Sequence, residues 1–212
     1  IIEATKKGAN NLPISVKMAE DLADKIDTIQ VSIDGIGKVY EKVRLKSDYS
    51  FFYENMLQTI EACRGKRATV MFNFVAIKEN YHDMADVVEL AGKLGVKYVN
   101  ITPFNVASVT IHDKTYYDFF QTAEFKSELK RAKAMSKNYP EIEFTTWDIE
   151  VPKGFRKCDL VWSHFYVSWD GYATPCCAKP FPKELNFGSI FDDGLMRCLN
   201  NKDYRQFRAM WY

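Results

Sequence analysis

Two rhythms of apolar residues alternate along the chain. A helical rhythm opens at Ser15, with Met18, Leu22 and Ile26 four residues apart. A short apolar run, 28–33, follows and reads as a strand. The helical rhythm returns over 48–63, where Phe52, Met56, Ile60 and Cys63 form one stripe, and gives way to the Val- and Phe-rich run 68–77. Asp83 opens a third helix with Val87, Leu90, Ala91 and Leu94 inward, and Gly95 stands where a left-handed C-terminal stop belongs. A strand over 98–102, a helix over 124–138 and a strand over 142–146 complete the series. Counting the apolar start Ile1 to Thr5, five strands alternate with helices.

Such alternation predicts an α/β fold of parallel strands joined by right-handed crossovers. Two architectures satisfy it: an open doubly wound sheet, or part of a (β/α) barrel. In both, ligands belong at the carboxyl ends of the strands. Those ends are Thr5 to Gly8, Ser32 to Gly35, Ala76 to Asn80 and Thr102 to Asn105. The alternation stops after Pro152, which divides the chain into a barrel-like part, 1–150, and a smaller part, 151–212.

The smaller part opens on a different pattern, a period-two run (Phe165, Val167 and Trp169 against His164, Tyr166 and Ser168) ending at Asp170-Gly171. A two-residue Asp-Gly connection predicts a type I′ hairpin, with Trp169 facing Tyr172 and Cys176 facing Phe165. Cys158 reaches Cys176 only if 158–163 curls back over the hairpin. That arrangement gathers a metal ion or closes a disulfide.

Composition narrows the possibilities. Lys and Arg number 29 against 28 Asp and Glu, a formal charge of +1, so nothing points to nucleic acid or to an anionic membrane surface. The sequence has no apolar run of membrane-spanning length and no basic-then-apolar leader at its start, so it reads as soluble and cytoplasmic. Five cysteines are an odd number for a disulfide framework, which favours free thiols or metal ligands.

Several segments, taken in order, resemble the radical S-adenosylmethionine enzymes that carry a carboxyl-terminal SPASM or twitch extension. Cys158, twelve residues, Gly171, four residues and Cys176 match the opening of the SPASM motif. Asn186 to Ile190, followed by 201–208 with Arg205 and Arg208, is similar to its later strand and helix. Upstream, Val31-Ser32-Ile33-Asp34-Gly35 resembles the family's fourth barrel strand. The stretches Phe74 to Asn80 and Val99 to Pro103 resemble the fifth and sixth.

The resemblance implies a partial barrel followed by an iron-sulfur module. It implies S-adenosylmethionine as cofactor, with Ser32, Asp34, Arg44, Asn73, Thr102 and Pro103 as candidate contacts. It also implies an auxiliary iron-sulfur cluster, with Cys158 and Cys176 as ligands and Cys177 as a further candidate. The implied reaction is that of an oxidoreductase or maturase: reductive cleavage of the cofactor to a 5′-deoxyadenosyl radical, which abstracts hydrogen from a peptide, protein or small-molecule substrate. An external electron donor would supply the electron. The family's CxxxCxxC loop for the radical-generating [4Fe-4S] cluster does not occur in this sequence. The chain is therefore expected to be part of a longer protein, extending at both ends. The alternative reading is a non-catalytic, metal-stapled binding module with a degenerate barrel.

Local sequence also allows plainer roles. Cys158 and Cys176 are as suited to zinc, or to packing, as to iron; Ser32 and Asp34 can cap a turn; Arg44 can be a solvated surface residue; and Asn73 needs a buried partner of some kind. Cys63 and Cys198 read as core, the scattered His82, His112 and His164 as structural, and Tyr116, Tyr117, Phe119 and Phe120 as packing.

Overall fold

The structure is a computed structural model, and it describes residues 16–104, 115–147, 158–176 and 179–211. These fall into two compact units: 16–104 with 115–147, and 158–176 with 179–211.

The first unit runs α1 (Val16–Ala23), β1 (Thr28–Ser32), α2 (Lys38–Val43), α3 (Tyr49–Cys63), β2 (Thr69–Ala76), a 3-10 turn at Tyr81–Asp83, α4 (Met84–Leu94), β3 (Tyr98–Pro103), α5 (Thr115–Phe120), α6 (Ala123–Ser136) and β4 (Glu143–Thr146). Ile1 to Thr5, the first expected strand, lies outside the described residues. The other four strands form one sheet in the order β1-β2-β3-β4, every neighbouring pair parallel. A doubly wound sheet reverses its strand order at a switch point. These strands run in sequence order without reversal, as the arc of a barrel does.

Alternation along β2 decides which face is which. Val70, Phe72, Phe74 and Ala76 are buried, while Met71, Asn73 and Val75 are only half-buried. The buried set joins Met56 and Cys63 of α3, Val87, Val88 and Ala91 of α4, and Phe125, Leu129 and Ala132 of α6 in a single core. Burying one such aromatic or branched side chain contributes on the order of 2 kcal/mol, so this face fixes the register of the whole sheet.

Helix ends are set locally. The Asp48 carboxylate accepts from Phe51 N at 3.0 Å to start α3, and Thr122 Oγ1 accepts from Phe125 N at 3.3 Å to start α6. Gly95, at φ 72°, ends α4 and returns its N–H to the carbonyls of Ala91 and Gly92. One stripe differs from its expectation. Met18 is exposed, and α1 buries Ala19 and Ala23 instead, because small side chains let this helix lie close to its neighbours.

The second unit contains α7 (Leu160–Ser163), the hairpin β5 (Tyr166–Val167) and β6 (Ala173–Thr174), α8 (Leu195–Asn200) and α9 (Lys202–Ala209). Residues 187–190 add a third antiparallel segment: Phe187 N donates to Ala173 O, Ala173 N to Gly188 O, and Ile190 N to Gly171 O. Ala173, Phe187, Cys198 and Tyr204 form its separate core, with Phe187 stacked on Tyr204 at 4.2 Å between ring centroids.

The hairpin departs from expectation by one residue. Tyr166 pairs with Thr174 and Val167 with Ala173, so Ser168 rather than Trp169 faces Tyr172, and the connection is the three residues 169–171. A type I′ turn needs positive φ at both Asp170 and Gly171, and only Gly171, at φ 88°, has it. Ser168 explains the shift. Its hydroxyl donates to the Asp170 carboxylate and accepts from Tyr172 N, closing the wider turn from inside. The pairing continued outward sets Cys176 against His164, not Phe165. Trp169 is left at the tip, 94% exposed.

Candidate ligand face and cysteine module

The carboxyl ends of β1 and β2 are tied together by Asp34. Its carboxylate accepts from Val75 N at 2.8 Å and from Arg44 Nε at 2.7 Å, with Arg44 Nη2 at 2.5 Å. Asp34 is buried and Arg44 largely so, which makes this a two-pronged pair away from water. The two charged candidates of this strand end are thus turned onto each other. Asn80, 1% exposed, finishes the knot: its Nδ2 donates to Asp34 O at 3.1 Å and to Val75 O at 2.9 Å, while its Oδ1 accepts from Ile77 N at 2.7 Å. One turn further, the Asp83 carboxylate accepts from Ile36 N at 2.8 Å, and burial raises its pKa above the ordinary carboxylate value. Tyr40 lies in the same region, fully buried and stacked on Phe52 at 4.4 Å, and burial pushes its phenol up to about 12.

The uncharged candidates lie on the sheet face turned away from the core helices. Parallel register brings Ser32 beside Asn73, Asn73 beside Asn100, and Asn100 beside Thr145. Asn100 Nδ2 donates to Asn73 Oδ1 at 2.7 Å, and Thr145 Oγ1 donates to Asn100 Oδ1 at 3.0 Å. Four strands therefore carry a continuous row of short polar side chains at one level. Thr102 follows Asn100 on the same face, and Pro103 closes β3. Asn100 and Thr145 were not candidates from sequence. Asn100 sits between Val99 and Ile101 as Asn73 sits between Phe72 and Phe74, but only the register shows that the two share a row.

A cavity of 590 Å³ opens at the opposite end of the sheet, between Gly65 and Lys97. Three of its four cations are already paired, Arg64 with Glu61 at 3.1 Å, Lys66 with Asp24 at 2.9 Å and Lys93 with Glu89 at 2.7 Å.

In the second unit Cys158 and Cys176 are free thiols of intermediate exposure, whereas Cys63 and Cys198 are buried. Burial raises the pKa of both buried thiols, and beside Cys198 the Asp193 carboxylate adds to the effect, which disfavours the thiolate form that binds metals. Cys177 lies outside the described residues. Segment 158–163 does leave the strand direction, winding into α7. Asn201 fixes α9, its Oδ1 accepting from Tyr204 N at 2.8 Å and its Nδ2 donating to Phe187 O at 2.7 Å. The Arg208 guanidinium lies 4.4 Å from the Tyr204 ring centroid and 5.3 Å from that of Trp162, and it donates to Leu199 O.

The donor chemistry suits an iron-sulfur cluster in kind but not in number. Accessible thiols are soft ligands, yet among the described residues no three or more His, Cys, Asp or Glu side chains come together to hold a metal. The remaining candidates do not add a ligand set. His82 is exposed and lies against Tyr81, with ring centroids 3.7 Å apart, and His164 Nδ1 is 2.8 Å from Ser163 Oγ. His112 and the side chains of Tyr116 and Tyr117 lie outside the described residues. Phe119 and Phe120 pack on Phe125, with centroids 5.3 and 5.1 Å away, as core.

Residues 158–211 match the family model of SPASM, an iron-sulfur cluster-binding domain. This segment is similar to SPASM domains. The match takes in the hairpin, the 187–190 segment, α8 and α9, and it leaves the first unit to be compared by fold. The chain is similar in fold to Streptococcus suis SuiB, whose crystal structure was determined bound to S-adenosylmethionine. The TM-score is 0.63 at 14% sequence identity, over 94% of this chain and 48% of SuiB. The chain thus spans about half the length of that relative. No curated protein matches the chain. A match to the SPASM model, following a barrel-like sheet in the sequence, agrees with the resemblance to radical S-adenosylmethionine enzymes with a SPASM extension. Among the described residues, no helix is long and apolar enough to cross a membrane.

Proposed function

We propose that the chain is the barrel and SPASM portion of a radical S-adenosylmethionine enzyme acting on a peptide, protein or small-molecule substrate. The SPASM match, following parallel strands laid in sequence order, carries this reading. In it the open face of the sheet, lined by Ser32, Asn73 and Thr102, meets the cofactor and substrate, and Pro103 marks the edge of that face. The Asp34–Arg44 pair holds the shape of the strand ends; a carboxylate ligand would have to displace Asp34 to reach the guanidinium. Cys158 and Cys176, with Cys177 as a further candidate, would hold an auxiliary iron-sulfur cluster, which when bound anchors substrate or accepts an electron. An external electron donor and a cytoplasmic location belong to the same proposal.

Anaerobic reconstitution with iron and sulfide tests it. The chain should bind iron and sulfide and develop broad visible absorption, and Cys158→Ala with Cys176→Ala should remove at least half of that iron. Unchanged iron in the double variant would refute the ligand assignment. A chain that takes up zinc but no sulfide would refute the cluster.

A further inference from the structure

We infer that Arg208 is the counter-charge for the anionic iron-sulfur group proposed at Cys158 and Cys176, and that it sets how readily that group takes up an electron. The inference rests on the proposed function for the presence of the group and adds the residue that tunes it.

The surroundings of Arg208 leave its charge unanswered. Arg44 of the first unit meets the Asp34 carboxylate, whereas Arg208 meets, among the described residues, one carbonyl and two aromatic rings. Its Nη2 donates to Leu199 O, which closes the end of α8 without supplying a negative charge. Its Nε is buried and has no hydrogen-bond partner among the described residues. A buried donor left unpaired costs about 1–3 kcal/mol, and more when it belongs to a charged group. The position calls for an anionic acceptor.

Both rings lead to the accessible thiols. Trp162, whose ring centroid is 5.3 Å from the guanidinium, lies on α7 four residues after Cys158. Tyr204, at 4.4 Å, lies within electrostatic reach of Cys176: burial raises its phenol, the Arg208 cation lowers it, and Cys176 raises it. Arg208 therefore touches the helix that follows one cysteine and the ring that senses the other. An iron-sulfur group held by thiolates is negatively charged, and an accepted electron adds to that charge. A fixed cation nearby favours the more negative state, and a hydrogen bond to sulfur acts in the same direction. A purely structural arginine would be served by the Leu199 carbonyl and the two rings, with no buried Nε–H left over. Arg205, on the same helix but exposed, provides the internal comparison.

The test loads the full chain with iron and sulfide anaerobically and follows its reduction by dithionite with electron paramagnetic resonance, which gives a midpoint potential. Arg208→Gln, which keeps an N–H donor but removes the charge, should lower the midpoint by about 59 mV, the one-electron equivalent of a tenfold change. Arg208→Lys should recover most of that fall, and Arg205→Gln should keep the wild-type midpoint. Loss of iron from Arg208→Gln that Arg208→Lys reverses also supports the role, whereas loss from both variants overturns it. An unchanged midpoint in Arg208→Gln, even with a lowered melting temperature, assigns Arg208 to packing and overturns the inference, as does an equal fall in Arg205→Gln. A wild-type chain that takes up no iron and sulfide refutes the cluster and its counter-charge together; a cluster indifferent to Arg208 refutes the counter-charge alone.

Discussion

At the residue scale the most consequential side chain is Asp34. Its buried carboxylate neutralises Arg44 and receives a backbone N–H of β2, so removing it leaves a guanidinium out of water with no counter-charge. Asp34→Ala should cost about 3–5 kcal/mol in urea denaturation. Arg44→Met, which removes charge from the pair's other side, should also destabilise; the double variant should recover part of the loss, a coupling that additive behaviour would disprove. Sequence marked Asp34, Arg44 and Asn73 as chemical residues but could not say which would meet. Two carboxylate-bearing loops leave the same end of the sheet, and only the folded chain decides that Asp34 takes Arg44 while Asp83 takes Ile36 N. Tyr40 makes the opposite point. Its hydroxyl is buried without a hydrogen-bond partner among the described residues, so Tyr40→Phe should be neutral or stabilising by up to about 1 kcal/mol.

At the element scale, helices and strands of the first unit follow the hydrophobic rhythm closely. The strands over 28–33, 68–77, 98–102 and 142–146 and the helices capped at Asp48 and ended at Gly95 lie where the periodicity sets them. The short helices α2 and α5 carry too few turns for a period to show. The hairpin was legible as a hairpin, yet its register was not. Asp-Gly alone favours two residues, and the Ser168 hydroxyl, bonded to both ends of the turn, tips the balance to three. Gly171 carries the strain of that choice: a Cβ there would lie 2.3 Å from the Phe191 ring, in a backbone conformation unfavourable for any L side chain. Gly171→Ala should therefore cost about 2 kcal/mol, measured as a lowered unfolding transition of the second unit. An unchanged transition would show that Phe191 does not pack on this turn.

At the scale of the whole molecule, alkaline stability follows from tyrosines placed in both units. Burial raises the pKa of Tyr40, Tyr49 and Tyr204, Tyr40 to about 12 from the ordinary phenol value of 10.0. A raised folded-state value means that the unfolded chain loses its proton first, so the stabilisation is whole below pH 10 and is lost as pH rises towards 12. Tyr40 alone accounts for a loss on the order of 2 kcal/mol across that window, and Tyr40→Phe should flatten the alkaline limb of a pH–stability curve by that amount. Sequence by itself determined the alternating α/β architecture, the change of pattern after Pro152, and the cysteine-glycine-cysteine spacing of the second unit, because each is a local periodicity or a fixed interval along the chain. Tertiary structure decided between barrel arc and doubly wound sheet, the hairpin register, the Asp34–Arg44 pairing and the Ser32–Asn73–Asn100–Thr145 row. These depend on which strand lies beside which and at what offset, and that is fixed by burying the Val70, Phe72 and Phe74 face against helices distant in sequence.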